Sequence, residues 1–470
     1  MSDSVWSLLL KDIFDNPRGF TRKIIIFGAL CTIIFGLYTL SHPHHYYNIV
    51  KDHVTDIAQV IDLSPLRPSC SPDAWAQGRW VPKQKSSEQP PSMASMGDAL
   101  KFAGLEGCAS DREFYWHLGS DTPETWNRWP EVTNWEWKPS SSCQNLIPFD
   151  REAMVKDMVE KGGWLLIGDS VTENHFFSLS CMLFPHVRAT PNYTENPGFD
   201  RSWVQNLYLS PTSPMLKYIN FPPGFNISVT PLVSFRRADL LLSREQLEGL
   251  YRASYHPPSE FNLFSDEPYW SLPPSEYLSM FQKPLPEGNY GTLVLSTGGH
   301  WTTSLFSGFV DEKFADMGLP RGMDGVIDFF NKAMKTWADE VQKALSNDHS
   351  RRRGQRRQVV IRPYVPGHDN CHNIYQPWHE DVLSMHYTSN WGYSSEFNRI
   401  FSDLLVSPSY PDIHHLSIDK PALLRPDTHV PGDCVHIMTG TGPLEDASFC
   451  RKRCGFLITI ISPSHIYTTQ

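Results

Sequence analysis

One stretch of this 470-residue chain constrains its fold more than any other, because it combines a buried strand with a sharp turn. Residues 164–167 are four consecutive apolar residues, a pattern typical of a short strand buried on both faces. Gly168, Asp169 and Ser170 follow directly, and residues 171–177 have the composition of a helix start. The pattern therefore predicts a strand, a tight turn and a helix, with polar side chains at the carboxyl end of the strand.

Ser170 admits two interpretations at that turn. A serine at a strand-to-helix turn exposes its hydroxyl at the edge of the sheet, and its amide lies at the positive end of the helix, where an oxyanion can be held. That placement suits a nucleophile. The alternative is that Ser170 only caps the helix, as serine often does. The Gly-Asp-Ser tripeptide is too short to decide between these alternatives by itself.

A serine nucleophile needs a histidine as its general base, and a carboxylate usually orients that histidine. The spacing Asp-x-x-His occurs three times, as Asp369/His372, Asp412/His415 and Asp433/His436. The second pair lies in a segment typical of a strand entry, where residues three apart point to opposite faces. The third pair lies in a loop rich in turn formers, where a bend can bring the carboxylate to imidazole Nδ1. The sequence therefore favours Asp433/His436, with Asp369/His372, also in a loop, as the alternative.

Several motifs, taken in order, resemble those of the plant trichome-birefringence-like proteins and their PC-esterase relatives in the SGNH/GDSL superfamily. The resemblance covers roughly residues 70–450 and begins with Cys70 and the Gly-Arg-Trp-Val sequence at 78–81. It continues through the Trp-Glu-Trp-Lys-Pro sequence at 135–139, Cys143, the Phe-Asp pair at 149–150, the Gly-Asp-Ser block at 168–183, the Thr-Gly-Gly-His-Trp element at 297–301, the Arg-x-Asp-x-His motif at 425–429 and the Asp-Cys-x-His motif at 433–436.

The resemblance implies a fold, an activity and a set of site residues. The fold would be α/β, an SGNH-hydrolase-like three-layer αβα arrangement around a parallel sheet. The activity would be polysaccharide O-acetyl transfer through an acyl-serine intermediate, with an acetyl donor as co-substrate and with no bound cofactor or metal. The implied residues are the triad Ser170, Asp433 and His436, an oxyanion hole from Ser170, Ser296 and Gly298, substrate contacts from Asn174, His300 and Trp301, and the disulfides Cys70–Cys143 and Cys108–Cys181.

The chain departs from the family pattern at several positions. Glu173 stands where the family commonly has arginine, and Ile437 replaces a tryptophan after the last histidine. In the Asn-Thr-Gly-His element, Ser296 replaces the asparagine and one extra glycine is present. If that asparagine contributes to the oxyanion hole, its role here passes to Ser296, Thr297 or a glycine amide. Two alternatives to a transferase stay open: a carbohydrate esterase with the same triad and water as the acceptor, and a glycan-binding protein without turnover.

The amino-terminal region predicts a membrane anchor. Residues 24–40 are a 17-residue stretch without a charge, close to the lower limit for a membrane span. Basic residues precede this stretch and almost none follow it, so residues 1–23 should be cytoplasmic. We therefore expect a type II protein of the Golgi or the secretory pathway, with a stem at 41–69 and a lumenal catalytic domain at 70–470. A cleaved signal peptide is the alternative, although no small-residue cleavage site follows.

Cysteine usage agrees with a lumenal domain. Of the nine cysteines, Cys31 lies in the apolar stretch, and the even number that remains indicates disulfides in an oxidising compartment. A bond from Cys434 to Cys371, Cys450 or Cys454 would fix the turn between Asp433 and His436; a free buried thiol is the alternative. Zinc is a competing interpretation of the cysteines, but the chain has no paired CxxC and no HExxH. Two sequons, at Asn192 and Asn226, fit a glycosylated lumenal domain.

Charge and periodicity complete the expectations. The net charge of −10 includes no basic excess, which argues against nucleic acid as a partner. A polysaccharide or glycan acceptor and a membrane, bound through one amino-terminal helix, are the expected partners. Residues 292–295 and 359–361 are predicted as further strands, and apolar residues spaced by three or four over 327–345 predict a long amphipathic helix. Alternating strands and helices indicate a parallel sheet with the site at its carboxyl edge.

Overall fold

A computed structural model of the chain describes residues 70, 72–83, 98, 100–101, 103–110, 130–143, 149–192, 195, 203–347, 357–380, 391–416, 419–430 and 433–443. All of them belong to one compact unit, Pro68–Gln470. The expected cytoplasmic tail, membrane anchor and stem lie outside the described residues, as do Cys450 and Cys454. Among the described residues, no helix has the length and apolar character needed to cross a membrane.

The described strands form two sheets. In chain order they are β1 Arg79–Pro82, β2 Trp135–Lys138, β3 Gly163–Gly168, β4 Val187–Thr190, β5 Gln205–Leu209, β6 Pro231–Arg237, β7 Tyr290–Leu295, β8 Gln358–Ile361 and β9 Ile413–His415. Strands β1 and β2 pair in a small antiparallel sheet. The other seven form one sheet in the order β4-β5-β6-β3-β7-β8-β9, in which β6, β3, β7, β8 and β9 are parallel. Strands β5 and β4 extend the sheet beyond β6: β5 is antiparallel to β6, and β4 is antiparallel to β5.

Helices connect the parallel strands, as the alternating pattern predicts. The described α-helices are α1 Pro72–Ala76, α2 Arg151–Glu160, α3 Ser170–Met182, α4 Arg244–Tyr255, α5 Pro274–Phe281, α6 Gly322–Ser346, α7 Ser394–Leu405 and α8 Asp419–Leu423. The carboxylate of Asp150 caps α2 by accepting from the amide of Ala153 at 2.9 Å. Gly162, at φ +113°, then supplies the backbone conformation that turns the chain into β3.

The central strand β3 is apolar throughout because both of its faces are covered. Leu165 and Ile167 belong to a core cluster that includes residues of α4, α5, α6 and α7. Trp164 and Leu166 point to the opposite face and pack in a second cluster with residues of α2 and α3. Burying a side chain of this size stabilises the fold by roughly 1.5–3 kcal/mol. The α/β class and the mostly parallel sheet are thus confirmed, and the architecture is compatible with three layers.

Three disulfides join distant parts of the described chain. Cys70 is bonded to Cys143 and Cys108 to Cys181, which are the two pairs that the family resemblance implies. Because Cys181 lies in the last turn of α3, the second bond tethers that helix at its carboxyl end. The third bond joins Cys371 to Cys434, with a Cα–Cα distance of 5.5 Å. Of the alternatives that the sequence left open for Cys434, the structure has the bond to Cys371.

Candidate active site

The turn between β3 and α3 places Ser170 at the first residue of the helix. Asp169 is the cap: its Oδ1 accepts from the amide of Val171 at 3.0 Å, so the capping role proposed for Ser170 falls to its neighbour. Gly168 is required because a Cβ there would overlap Thr172 Oγ1 and approach the carbonyl oxygen of Ser296 to 2.7 Å. Asp169 is buried, whereas Ser170 retains some exposure at the carboxyl edge of the sheet.

Asp433 and His436 lie near the carboxyl-terminal end of the described chain, in a hairpin whose two arms meet at His429 and Ile437. The hairpin is closed by a bridge between His429 and Ile437 and by a hydrogen bond from the amide of Val430 to the His436 carbonyl at 3.0 Å. Within it, Asp433 Oδ2 lies 2.5 Å from His436 Nδ1. The other oxygen, Oδ1, accepts from the amides of Val435 at 3.0 Å and His436 at 3.2 Å. The bend expected from the turn-forming residues is therefore present.

The electrostatics of this pair favour an ionised carboxylate. Burial by itself raises the pKa of the Asp433 carboxyl, but the hydrogen bond and charge of His436 and two backbone amides lower that pKa well below its usual range. An ionised Asp433 accepts the Nδ1 proton of His436. That hydrogen bond leaves Nε2 as the nitrogen that can take up a proton from a nucleophile.

Contacts between the hairpin and α3 place the Asp433–His436 pair beside the helix that begins with Ser170. The amide of Ile437 donates to Asn174 Oδ1 at 2.9 Å, one helical turn after Ser170. Val171, which follows Ser170, packs with Ile437, and Val435 lies against the same cluster. His436 is located between Val435 and Ile437, on the part of the hairpin that contacts α3. Ile437, a departure from the family pattern, is one of the residues that make this contact.

The other two Asp-x-x-His pairs have different surroundings. Asp412 Oδ2 accepts from Gln342 Nε2 at 2.9 Å, and the Asp412 amide donates to Gln342 Oε1 at 3.2 Å. Asp412 therefore joins α6 to the start of β9, at the strand entry that the sequence predicted. His372 is exposed in a short helical turn, Cys371–Asn373.

The turn Cys371–Asn373 bears on the zinc interpretation of the cysteines. Within the described ranges, the donor atoms of Cys371, His372 and Cys434 lie close enough together to suit a metal ion. The two cysteines are, however, bonded to each other in a disulfide, which removes the thiolates that a zinc ion would require. This donor set, in its oxidised state, does not fit a zinc site.

Several buried polar residues lie next to the Ser170 turn. Arg362 Nη2 donates to Thr172 Oγ1 at 3.1 Å, and its charge lies near the carboxylate of Asp169. Burial lowers the pKa of Arg362 to about 10, and Asp169 opposes this effect. Burial also raises the pKa of Tyr364, and the nearby Asp169 raises it further. Burial and the charge of Arg362 lower the pKa of His175 to about 3, so His175 is neutral under ordinary conditions.

Three groups near the turn can hold an oxyanion. The amide of Ser170 lies at the start of α3. Ser296 is 1% exposed, and its amide donates to the Ile167 carbonyl at 3.1 Å. The hydroxyl of Ser296 has no hydrogen-bond partner among the described residues. The same is true of Asn174 Nδ2, whose Oδ1 is held by Ile437. Gly298 packs on the ring of Tyr364. Ser296 and Asn174 are therefore side chains near this turn whose donors bind no other described residue.

His300 lies in a second cluster of charged residues at the same edge of the sheet. Its Nε2 is 3.6 Å from Oδ1 of the buried Asp239, which also accepts from Arg237 Nε at 3.1 Å. The guanidinium of Arg237 stacks over the ring of Trp270 at 3.7 Å from the ring centroid. Burial raises the pKa of Asp239, and the charges of His300 and Arg237 counteract this effect. A partly exposed histidine in a cluster that also contains an arginine stacked on an aromatic ring is compatible with a substrate contact.

Trp301 has a different position from the one implied by the resemblance. It is fully buried, stacks on Phe306 at a ring-centroid distance of 4.8 Å and donates from Nε1 to Thr297 Oγ1 at 3.1 Å. Its side chain offers no accessible surface to a ligand. We therefore assign Trp301 a structural role, in which it supports the segment that carries Ser296 and His300.

Two site residues, Asp239 and Arg362, were not predicted from the sequence. Neither belongs to a motif that the sequence analysis singled out. The available signal was position: Arg362 directly follows β8, and Asp239 comes two residues after β6. Charged side chains that follow strands of a parallel sheet meet at its carboxyl edge, as Asp169 does after β3.

The sequon asparagines Asn192 and Asn226 are both exposed. Asn226 Oδ1 accepts from the amide of Ser228 at 2.9 Å, within a turn. An exposed asparagine in a turn is accessible to a glycosyl group. Both positions are thus compatible with the expected glycosylation.

Comparisons with known proteins add no assignment. The chain matches no protein-family model and no curated protein.

Proposed function

We propose that the protein is a polysaccharide O-acetyltransferase of the trichome-birefringence-like and PC-esterase type, with a three-layer SGNH-hydrolase-like fold. Its substrates are an acetyl donor and a glycan acceptor. Ser170 is the nucleophile, His436 the general base, and Asp433 the carboxylate that orients His436. The protein resides in the Golgi or another part of the secretory pathway as a type II membrane protein, with its catalytic domain in the lumen.

The observation that carries this proposal is the Asp433–His436 contact, with Oδ2 2.5 Å from Nδ1, on a hairpin that is hydrogen-bonded to the Ser170 helix. A histidine oriented by an ionised carboxylate is the general base of serine-dependent acyl transfer, and the hairpin that carries His436 contacts the helix that begins with Ser170. A protein that only binds glycans has no need of all three groups. For this reason we favour an enzyme over a binding protein.

The proposed first half-reaction uses these three residues. Ser170 Oγ attacks the acetyl carbonyl carbon while His436 Nε2 takes the hydroxyl proton, and Asp433 stabilises the imidazolium that forms. The negative charge on the former carbonyl oxygen is held by the Ser170 amide together with Ser296 or Asn174. The tetrahedral intermediate collapses as the bond to the leaving group breaks, and His436 returns the proton to that group. The product of this step is an acetyl-serine ester.

The second half-reaction uses the same residues in the reverse direction. His436 takes the proton of a sugar hydroxyl, whose oxygen attacks the acetyl-serine carbonyl. Collapse of the second tetrahedral intermediate breaks the ester bond, and the proton passes from His436 to Ser170 Oγ. The sugar leaves as an acetate ester. With water in place of the sugar, the products are acetate and free enzyme, which is the carbohydrate esterase alternative.

The test is to trap the acetyl enzyme and to follow its decay. The full-length protein is mixed with para-nitrophenyl acetate as the donor probe, and the peptide that contains Ser170 is examined by mass spectrometry. We expect an added acetyl group on Ser170 and none in Ser170→Ala. Faster decay with a panel of oligosaccharides, together with acetylated sugar, indicates a transferase; decay to acetate at the same rate with and without sugar indicates an esterase. Binding of glycans without any acetyl-Ser170 would overturn the proposal in favour of the binding protein.

A further inference from the structure

Two buried histidines are in direct contact behind the hairpin that carries His436. Nδ1 of His368 lies 2.6 Å from Nε2 of His429, and both residues are almost completely inaccessible to solvent. Each ring also contacts a backbone carbonyl through its other nitrogen. His368 Nε2 is 2.7 Å from the Leu423 carbonyl oxygen, and His429 Nδ1 is 3.1 Å from that of His436. The contacts thus form a continuous chain from Leu423 to the backbone of the candidate base.

The pair contacts the hairpin at more than one point. The amide of His368 donates to the Cys434 carbonyl at 2.9 Å, while His429 reaches the carbonyl of His436. The edge of the His368 ring is fixed by Trp378, at a ring-centroid distance of 5.1 Å. Cys434 directly follows Asp433, and His436 carries the imidazole that Asp433 contacts. Movement of these two carbonyls would therefore move the catalytic imidazole.

The two histidines depend on each other because, when neutral, they carry too few protons for all of their hydrogen bonds. Both terminal contacts end on carbonyl oxygens, which only accept, so three hydrogen bonds require three protons on the two rings. Two neutral imidazoles carry two. Burial lowers the pKa of each ring. At His368, the hydrogen bond to Leu423 and the charges of Asp427 and Asp369 counteract this effect. At His429, the charge of His368 lowers the pKa further, while the hydrogen bond to the His436 carbonyl and the charge of Asp433 counteract it. In the neutral pair, the nitrogen that supplies the shared proton decides whether His429 Nδ1 still donates to His436.

We propose that His429, with its tautomer set by His368, is a positioning residue for the catalytic base: its Nδ1–H holds the carbonyl of His436. The effect on catalysis rests on the proposed function of His436, whereas the effect of His429 on the position of the hairpin does not. Holding the base matters because a displacement of about 1 Å at a catalytic group can cost on the order of a hundredfold in rate. The pair itself touches no substrate.

Two variants of His429 separate the two nitrogens. In His429→Asn the amide nitrogen takes the place of Nδ1 and can still donate to the His436 carbonyl, whereas in His429→Gln it takes the place of Nε2 and reaches only towards His368. Both variants remain polar and smaller than histidine, so their stabilities, measured by urea unfolding, should be similar. The rate is measured with para-nitrophenyl acetate. We expect kcat of the Asn variant to stay within a few-fold of wild type, and kcat of the Gln variant to fall on the order of ten- to a hundredfold, with KM unchanged in both.

His186 provides the matched control. It is also a buried histidine, with Nδ1 2.9 Å from Ser213 Oγ, but it lies beyond the carboxyl end of α3. The substitutions His186→Asn and His186→Gln should leave kcat unchanged. Equal kcat values in the two His429 variants, whether both are normal or both reduced, would overturn the inference, as would a change confined to KM.

A second measurement does not depend on catalysis. Hydrogen exchange of the Val430 amide, which is bonded to the His436 carbonyl at 3.0 Å, reports how firmly the hairpin is closed. Exchange should be faster in His429→Gln than in His429→Asn, and this difference should persist when Ser170 is also changed to alanine. If Ser170→Ala retains activity while the exchange difference is present, the proposed function fails and the positioning role stands. If exchange is the same in both variants, the positioning role fails.

Discussion

The main-chain amide of Ile437 donates to the side-chain oxygen of Asn174 at 2.9 Å, across 263 residues of sequence. This hydrogen bond joins the helix that begins with Ser170 to the hairpin that carries Asp433 and His436. Both groups are buried, so each depends on the other for its hydrogen bond. Asn174 thereby holds the hairpin to α3, one helical turn after Ser170.

Replacing Asn174 by alanine should lower both stability and activity. The buried Ile437 amide would lose its acceptor, at a cost of about 1–3 kcal/mol in the free energy of unfolding, measured by urea denaturation. The variant would also lose Nδ2 as a donor, so kcat with para-nitrophenyl acetate should fall. Gln342→Ala is a suitable control, because Gln342 is likewise buried and its Oε1 accepts a backbone amide, that of Asp412, at 3.2 Å, away from the Ser170 turn. Equal kcat losses in the two variants would contradict a special role for Asn174.

Substitutions of the candidate bases should have very unequal effects. His436→Ala and Asp433→Asn should each reduce kcat on the order of 10⁴-fold, as expected for the loss of a triad member. His372→Ala and His415→Ala should retain near-normal kcat, because neither residue lies on the hairpin that contacts α3. Acetylation of Ser170, followed by mass spectrometry, gives the same comparison without an acceptor. A tolerated His436→Ala alongside a damaging His372→Ala would show that the base was assigned to the wrong pair.

Ser296→Ala should slow the reaction without a large effect on stability. The Ser296 hydroxyl has no hydrogen-bond partner among the described residues, so its removal breaks no internal hydrogen bond. If it donates to the oxyanion, its loss should reduce kcat on the order of 10²–10³-fold with KM nearly unchanged. Thr297→Ser, which keeps the hydroxyl that donates to the Asp239 carbonyl at 2.8 Å, serves as the neighbouring control. A normal kcat in Ser296→Ala would assign the oxyanion to backbone amides and Asn174 instead.

Breaking the Cys371–Cys434 disulfide should impair activity before it unfolds the protein. The bond closes a 63-residue separation, for which the chain-entropy model gives about 4 kcal/mol. Because Cys434 lies next to Asp433, the double variant Cys371→Ser/Cys434→Ser should lower kcat at temperatures where far-UV circular dichroism still shows a folded protein. The variant Cys70→Ser/Cys143→Ser removes a bond with a similar separation, 73 residues, away from the hairpin. Its unfolding temperature should fall while kcat at low temperature is maintained.

Acidification should destabilise the protein through His175. Its pKa is about 3 in the folded state, against 6.5 ordinarily, because burial and then Arg362 disfavour the charged form. Between these two values the unfolded chain binds a proton that the folded chain does not, so stability falls as pH falls, by up to roughly 1.4 kcal/mol per pH unit. His175→Gln should reduce the slope of unfolding free energy between pH 6.5 and 4.5, measured by urea titration. An unchanged slope in His175→Gln would contradict this assignment.

Local properties of the sequence determined a large part of this structure. Four apolar residues at 164–167 predicted a strand buried on both faces, and β3 packs in one cluster through Leu165 and Ile167 and in another through Trp164 and Leu166. The cap at Asp150 and the bend at Asp433–His436 were likewise predictable, since both arise from residues within a few positions of each other.

Other features depended on contacts between distant residues, and only the tertiary structure decided them. Trp301 belongs to a motif that suggests substrate contact, but the aromatic packing of α6 and its neighbours buries it completely. Asp239 and Arg362 are brought to the Ser170 turn by strand order, which no local pattern specifies. The pairing of Cys434 with Cys371 and the contact between His368 and His429 are further examples. Local propensity is encoded over a few residues, whereas these positions result from how the whole sheet and its loops pack.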